Sequence, residues 1–140
     1  MVATVEMLEL ANALGPRLAR LVRVLIQEAG GLSRTQLSVL ATLRDGPRRV
    51  TELAESERVA QPSMTALVSR LERAGWVTRG ADPSDGRVVN VAITPAGIET
   101  LDRHTAARAA ALAKRLEALA PEERDALAAA LPALDKLIDA

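Results

Sequence analysis

The apolar residues of this chain keep helical spacing on both sides of one short interruption, and that interruption restricts the fold most. Leu14, Leu18, Leu21 and Leu25 step by four and three, which places them on one stripe of a helix. Between Val77 and Ile93 the pattern changes. Val77–Arg79 and Val88–Ile93 are β-prone runs joined by Ala81-Asp82-Pro83-Ser84-Asp85-Gly86, a stretch rich in turn formers, so a hairpin is expected there. In its second run Val89, Val91 and Ile93 form the more apolar face to lay on helices, and Val88, Asn90 and Ala92 form the face that can meet solvent. A chain of 140 residues is one ordinary domain, so hairpin and helices must share a core. The expected fold is mainly α with a small β-hairpin (α+β), with six helices.

Punctuation residues set the helix limits. Thr4 to Ala29 reads as the first helix; Gly15-Pro16 predicts a kink or fresh start there, because proline removes a hydrogen bond and clashes with the preceding turn. Gly30-Gly31 ends it. Ser33 with Gln36 fits a capping box for a second helix carrying Leu37, Leu40 and Leu43, stopped by Asp45-Gly46-Pro47. Arg48–Val50 is too short for more than a bridge-length strand, and Thr51 is the expected cap of a third helix ending near Arg58. After Val59-Ala60, Gln61-Pro62-Ser63 opens a fourth helix with Met64, Leu67, Val68 and Leu71 on one face, closed by Gly75. Thr94-Pro95 launches a fifth to about Leu119. Pro121 starts the last, which shows Leu127, Leu131, Leu134, Leu137 and Ile138 and which Pro132 is expected to bend.

Composition narrows the chemistry. The absence of cysteine excludes a disulfide framework, a thiolate zinc site and thiol redox sensing, and one histidine, His104, leaves little for metal ligation. No metal and no cofactor is expected, and His104 reads as a surface or interface residue. No apolar run approaches the roughly 20 residues of a membrane span, and Met1 to Glu9 carries Glu6 and Glu9 with no basic start, so the expectation is a cytoplasmic protein without a membrane partner. There is no nucleophile motif, no phosphate-cradling glycine loop and no His paired with an acid, so an enzyme is not expected. Net charge is zero, 18 cations against 18 anions, so the case for a nucleic-acid partner has to be local. Residues 34–90 hold nine basic and seven acidic groups, a net of +2, while residues 91–140 hold six and eight.

Helix, short helix, tight turn, helix and hairpin is the order of a winged helix-turn-helix, whose second turn helix enters the major groove. At 100° per residue, Met64, Leu67 and Leu71 facing the core put Pro62, Ala66, Ser69 and Arg73 opposite, with Ser63, Thr65 and Arg70 on the shoulders. Short side chains permit close approach, and Gln61, Ser63, Thr65, Ser69, Arg70 and Arg73 supply donors for base edges and phosphates. By pattern alone this is equally a solvated face. At the hairpin tip, Asp85-Gly86-Arg87 projects a guanidinium suited to the narrow minor groove, with Asp85 orienting it; taken alone, that is an exposed turn salt bridge.

Thr51-Glu52-Leu53-Ala54, Pro62-Ser63-Met64-Thr65, Leu67 through Val77, Asp82 through Arg87 and Ile93-Thr94-Pro95-Ala96-Gly97 together resemble the core of the MarR family of bacterial transcription regulators. The likeness runs from about Ser33 to Gly97, with three departures. Ile93 replaces the usual Leu, Ala60 stands where a capping Ser is common, and Ala66 where a larger polar residue often reaches a base. The resemblance implies a homodimer built from residues 1–32 and 95–140, with residues 33–94 as the winged DNA-binding domain. It implies a repressor acting on a pseudo-palindromic operator in double-stranded DNA, with Gln61, Pro62, Ser63, Thr65, Ala66, Ser69, Arg70, Arg73 and Arg87 as the DNA-binding set. It also implies a small, anionic or aromatic effector between the dimerisation helices and the winged domain. Trp76 reads instead as packing, and Arg17, Arg20 and Arg23 as solvated charge. The competing reading is a winged-helix protein that binds DNA without sequence choice or serves only protein contacts.

Overall fold

The computed structural model describes residues 4–140, which form α1 (Val5–Ala29), α2 (Arg34–Arg44), β1 (Arg48–Arg49), α3 (Val50–Glu57), α4 (Gln61–Arg73), β2 (Val77–Ala81), β3 (Val89–Ile93), α5 (Pro95–Glu117) and α6 (Pro121–Asp139). Met1–Ala3, the start of the expected dimerisation segment and of the stretch read against export, lie outside the described residues. Six helices and a three-stranded antiparallel sheet of order β1-β3-β2 bear out the expected mainly α, winged class.

One core joins helices and sheet. Leu40 and Leu43 of α2, Leu53 of α3, Met64, Val68 and Leu71 of α4, Val77 of β2 and Val91 of β3 are all fully buried in a single cluster, to which α5 adds Leu101. Burying each such side chain is worth about 1.5–3 kcal/mol, so this cluster supplies the main stabilisation of the winged region. Local signals agree with it. Thr4 Oγ1 accepts from Met7 N at the start of α1, and Ser33 and Gln36 exchange both bonds of a capping box. Helix α4 closes with Gly75 at φ +83°, Trp76 N donating to Leu71 O and Gly75 N to Glu72 O. That double bond is a Schellman motif, which turns the chain into β2.

The hairpin's open end is pinned at one point. Thr94 N donates to Trp76 O, Thr94 Oγ1 donates to Gly75 O, and the same hydroxyl accepts from Gly97 N to cap α5. A Cβ on Gly97 would stand 2.2 Å from Trp76 O, so only glycine allows α5 this close to the α4–β2 turn.

Three expectations are corrected. Helix α1 runs from Val5 through Pro16 to Ala29 without a fresh start; one backbone bond is forfeited, and Arg17 turns its guanidinium back onto Ala13 O at 2.6 Å. Pro132 lies inside α6, which continues past it to Asp139. Thr51 is not the cap of α3. Because Arg48 and Arg49 pair with Val91 and Asn90, the chain passes from strand directly into helix, Arg49 takes the cap position, and the Glu52 carboxylate accepts from Arg49 N at 3.0 Å. Val89 is exposed rather than laid on helices, because the hairpin extends past the end of the core; Val91 alone of its face is fully buried.

Candidate nucleic-acid interface

Helix α4 turns Met64, Val68 and Leu71 inward, which leaves Gln61, Pro62, Ser63, Thr65, Ala66, Arg70 and Arg73 exposed. Its N-cap, Ala60, offers no side-chain acceptor, so the first-turn amides and the positive end of the helix remain open to an external anion. Ser69 sits differently from its expected role. It is partly buried, donates to Thr65 O at 3.0 Å and accepts from Arg79 Nη2 at 2.7 Å, so its hydroxyl proton is already committed within the chain.

The wing is stiffened by carboxylates. Asp82 accepts from both the amide (2.8 Å) and hydroxyl (2.6 Å) of Ser84, and Arg49 reaches it at 3.5 Å. Those bonds, the Ser84 hydroxyl first, hold its pKa down to about 2. Asp85 Oδ1 accepts from Arg87 N at 3.1 Å and Arg87 Nε at 3.3 Å. The Arg87 side chain is nonetheless 92% exposed, so the pair steadies the guanidinium without hiding it.

Wing and helix meet at a groove of about 350 Å³ lined by Gln61 and Thr65 of α4, Arg79 of β2, Arg87 of the wing turn, and Arg49, Thr51 and their neighbours. The arrangement offers three guanidiniums and a helix amino terminus on one side of the molecule, which suits a phosphate backbone flanked by helix and wing. Arg70 and Arg73 lie in the last turn of α4, away from this groove.

The family model for MarR matches residues 32–89. An HTH-type transcriptional regulator of Mycobacterium leprae is 38% identical over 124 residues, covering 88% of this chain and 86% of that protein. The chain belongs to the MarR family. Its relatives include the HTH-type transcriptional repressor MdtR of Bacillus subtilis, 33% identical over 69% of this chain and 63% of that one. Among solved structures, the Thermotoga maritima transcriptional regulator Tm0710 matches with a TM-score of 0.74 at 26% identity over 91% of this chain and 95% of that one. A MarR family protein from Bacillus stearothermophilus matches with 0.71 at 25% identity over 100% of both. This MarR-family chain is therefore a transcription regulator with a DNA-binding helix-turn-helix, from a family of regulators and not of enzymes.

Two groove arginines of this MarR chain lie outside the expected DNA-binding set. Arg79 stands two residues after the buried Val77, on the same face of β2, and so points toward α4; strand alternation alone was enough to place it. Arg49 became visible only through the β1–β3 pairing.

Proposed function

We propose that the chain works as a homodimer that represses transcription by binding a pseudo-palindromic operator in double-stranded DNA and releases it on binding a small effector. The observation that carries this reading is the shared groove. Gln61 and Thr65 present the amino-terminal half of α4, and Arg87, held by Asp85 through Nε, stands beside them with most of its guanidinium exposed. The remaining exposed α4 residues, Pro62, Ser63, Ala66, Arg70 and Arg73, continue the surface along the duplex, and Ser69 acts through Thr65 and Arg79 rather than as a direct donor.

Dimerisation is supported by apolar surface that the chain leaves uncovered. Leu8, Leu10, Leu18, Leu21 and Val22 of α1 and Leu127, Leu131, Leu137 and Ile138 of α6 are all exposed, more than a soluble monomer ordinarily leaves open. Residues 1–32 and 95–140 thus carry dimerisation and 33–94 DNA binding. Repression is the activity named for the Bacillus subtilis relative. Among the described residues no helix is long and apolar enough to cross a membrane, and a DNA partner suits cytoplasmic residence.

Selection of bound fragments from the source genome tests this directly. One palindromic sequence should be enriched and should survive excess unrelated DNA at fixed salt, and Arg73→Ala with Arg87→Ala should weaken it while the dimer persists. Equal retention of all fragments would establish non-specific binding instead.

A further inference from the structure

We propose that Arg79 is a positioning residue for DNA binding: by bracing β2 against α4 it fixes the angle between wing and helix, so that Arg87 and the amino-terminal half of α4 meet one duplex together. The guanidinium runs along a single stripe of α4. Its Nη2 donates to Ser69 Oγ at 2.7 Å and, more distantly, to Thr65 O at 3.5 Å, and its Nε stands 3.8 Å from Glu72 Oε1. Residues 65, 69 and 72 are spaced by four and three, so they stack on one face of the helix. Ser69 completes the brace by donating its own proton to Thr65 O at 3.0 Å. The Thr65 side chain lines the groove beside Gln61, so the brace grips the backbone of a residue that faces the duplex.

Little else holds the wing to α4. In β2 only Val77 is buried, and Gly80, just beyond Arg79, has no side chain to pack. Among the described residues, no other side chain of the hairpin makes a hydrogen bond or ion pair with α4. The Arg49–Asp82 pair ties the wing to β1 instead. Without the brace the hairpin is free to pivot about its last buried pair of residues, Val77 and Val91. Two linked contacts reinforce each other only as far as the link presents both at once, and a wing that must be ordered on binding loses affinity. Arg79 is also less available to a phosphate than Arg87, its side chain 32% exposed against 92%, and its guanidinium is shared among three acceptors of the chain itself. The inference rests on the helix-and-wing reading of DNA binding above and adds what sets its geometry.

A double-mutant cycle on the full chain tests this, with affinity read by fluorescence anisotropy on the duplex enriched by selection and on an unrelated duplex of the same length. Arg87→Ala is combined in turn with Arg79→Met and with Ser69→Ala. Alone, Arg87→Ala should weaken binding about tenfold; in either of the other backgrounds it should cost about twofold or less, because an unbraced wing no longer presents residue 87. Ser69→Ala keeps every charge, so its own loss, expected at about threefold or more, cannot come from a missing phosphate contact. The backbone amides of Ser84 to Val88 should show lower order parameters in Arg79→Met and Ser69→Ala than in wild type. Should Arg79→Met fail to fold, Ser69→Ala carries the cycle. A full tenfold Arg87 effect in every background, wild-type affinity in Ser69→Ala, wing amides as ordered as in wild type, or an Arg79→Met variant that only lowers the salt slope by about one counter-ion would each overturn the proposal. Equal binding of both duplexes would break the operator reading while the cycle still decides the brace; binding without coupling breaks the brace alone, and a wild-type chain that binds neither duplex overturns both.

Discussion

Helices α4 and α6 are both amphipathic, yet α4 buries Met64, Val68 and Leu71 completely while α6 has no buried residue at all. The difference lies in what surrounds each helix. Helix α4 packs on α3 and β2 within a few dozen residues of chain, so its apolar stripe is satisfied by its own subunit. Helices α6 and α1 carry exposed leucines, Leu127 and Leu131, Leu18 and Leu21 among them at helical spacing, which nothing among the described residues covers. An amphipathic pattern shows that a surface must be buried, not whose surface will bury it.

The contrast is open to attack from both sides. Leu71→Ala should have the largest effect, a loss of about 3–5 kcal/mol for a leucine side chain removed from a tight core, read as a drop in denaturant midpoint. Leu131→Asp on the exposed face of α6 should spare helix content but weaken self-association about a hundredfold, seen in sedimentation velocity; a variant that still sediments as wild type would break the contrast.

Gly97→Ala tests whether α5 belongs with the self-sufficient region. Its Cβ would collide with the Trp76 carbonyl, and a loss of about 1–3 kcal/mol is expected in thermal or chemical melts. Arg87→Ala touches only the wing tip. It should leave the melting temperature within a degree or so, since surface changes are usually within about 0.5 kcal/mol, while operator affinity falls about tenfold, as befits one lost charged contact.

Asp82→Asn should give the smallest change. Its carboxyl titrates lower in the folded chain than in the unfolded one, so ionised Asp82 stabilises the wing above about pH 4, and that contribution disappears as pH falls through about 2. Wild type should therefore melt above the variant at pH 7 and with it at pH 2, a convergence that differential scanning calorimetry can follow.

How far the sequence could be read depended on the range of the interaction. The Ser33–Gln36 box, the Gly75 turn and the Asp85–Arg87 pair involve residues two to five apart, and each formed as its residue types require. Thr51 was misplaced as a cap because Glu52 competes for the same helix start once β1 pairs with β3. Pro16 carried a rule against proline in helices, yet the surrounding turns continued through it. His104 had no local signal at all: the carbonyl it meets lies 74 residues earlier.

The sequence by itself settled which segments become helix or strand and that a wing follows α4, because these depend on backbone propensity and bonds spanning a turn or two; it did not place every end, since β2 runs past Arg79 to Ala81 and α3 already starts at Val50. Only the tertiary structure decided that Arg79 occupies the hydroxyl of Ser69, that His104 is buried with one nitrogen unpaired, and that α6 is left uncovered. Those outcomes depend on which distant surfaces come into contact, and periodicity carries no record of the partner.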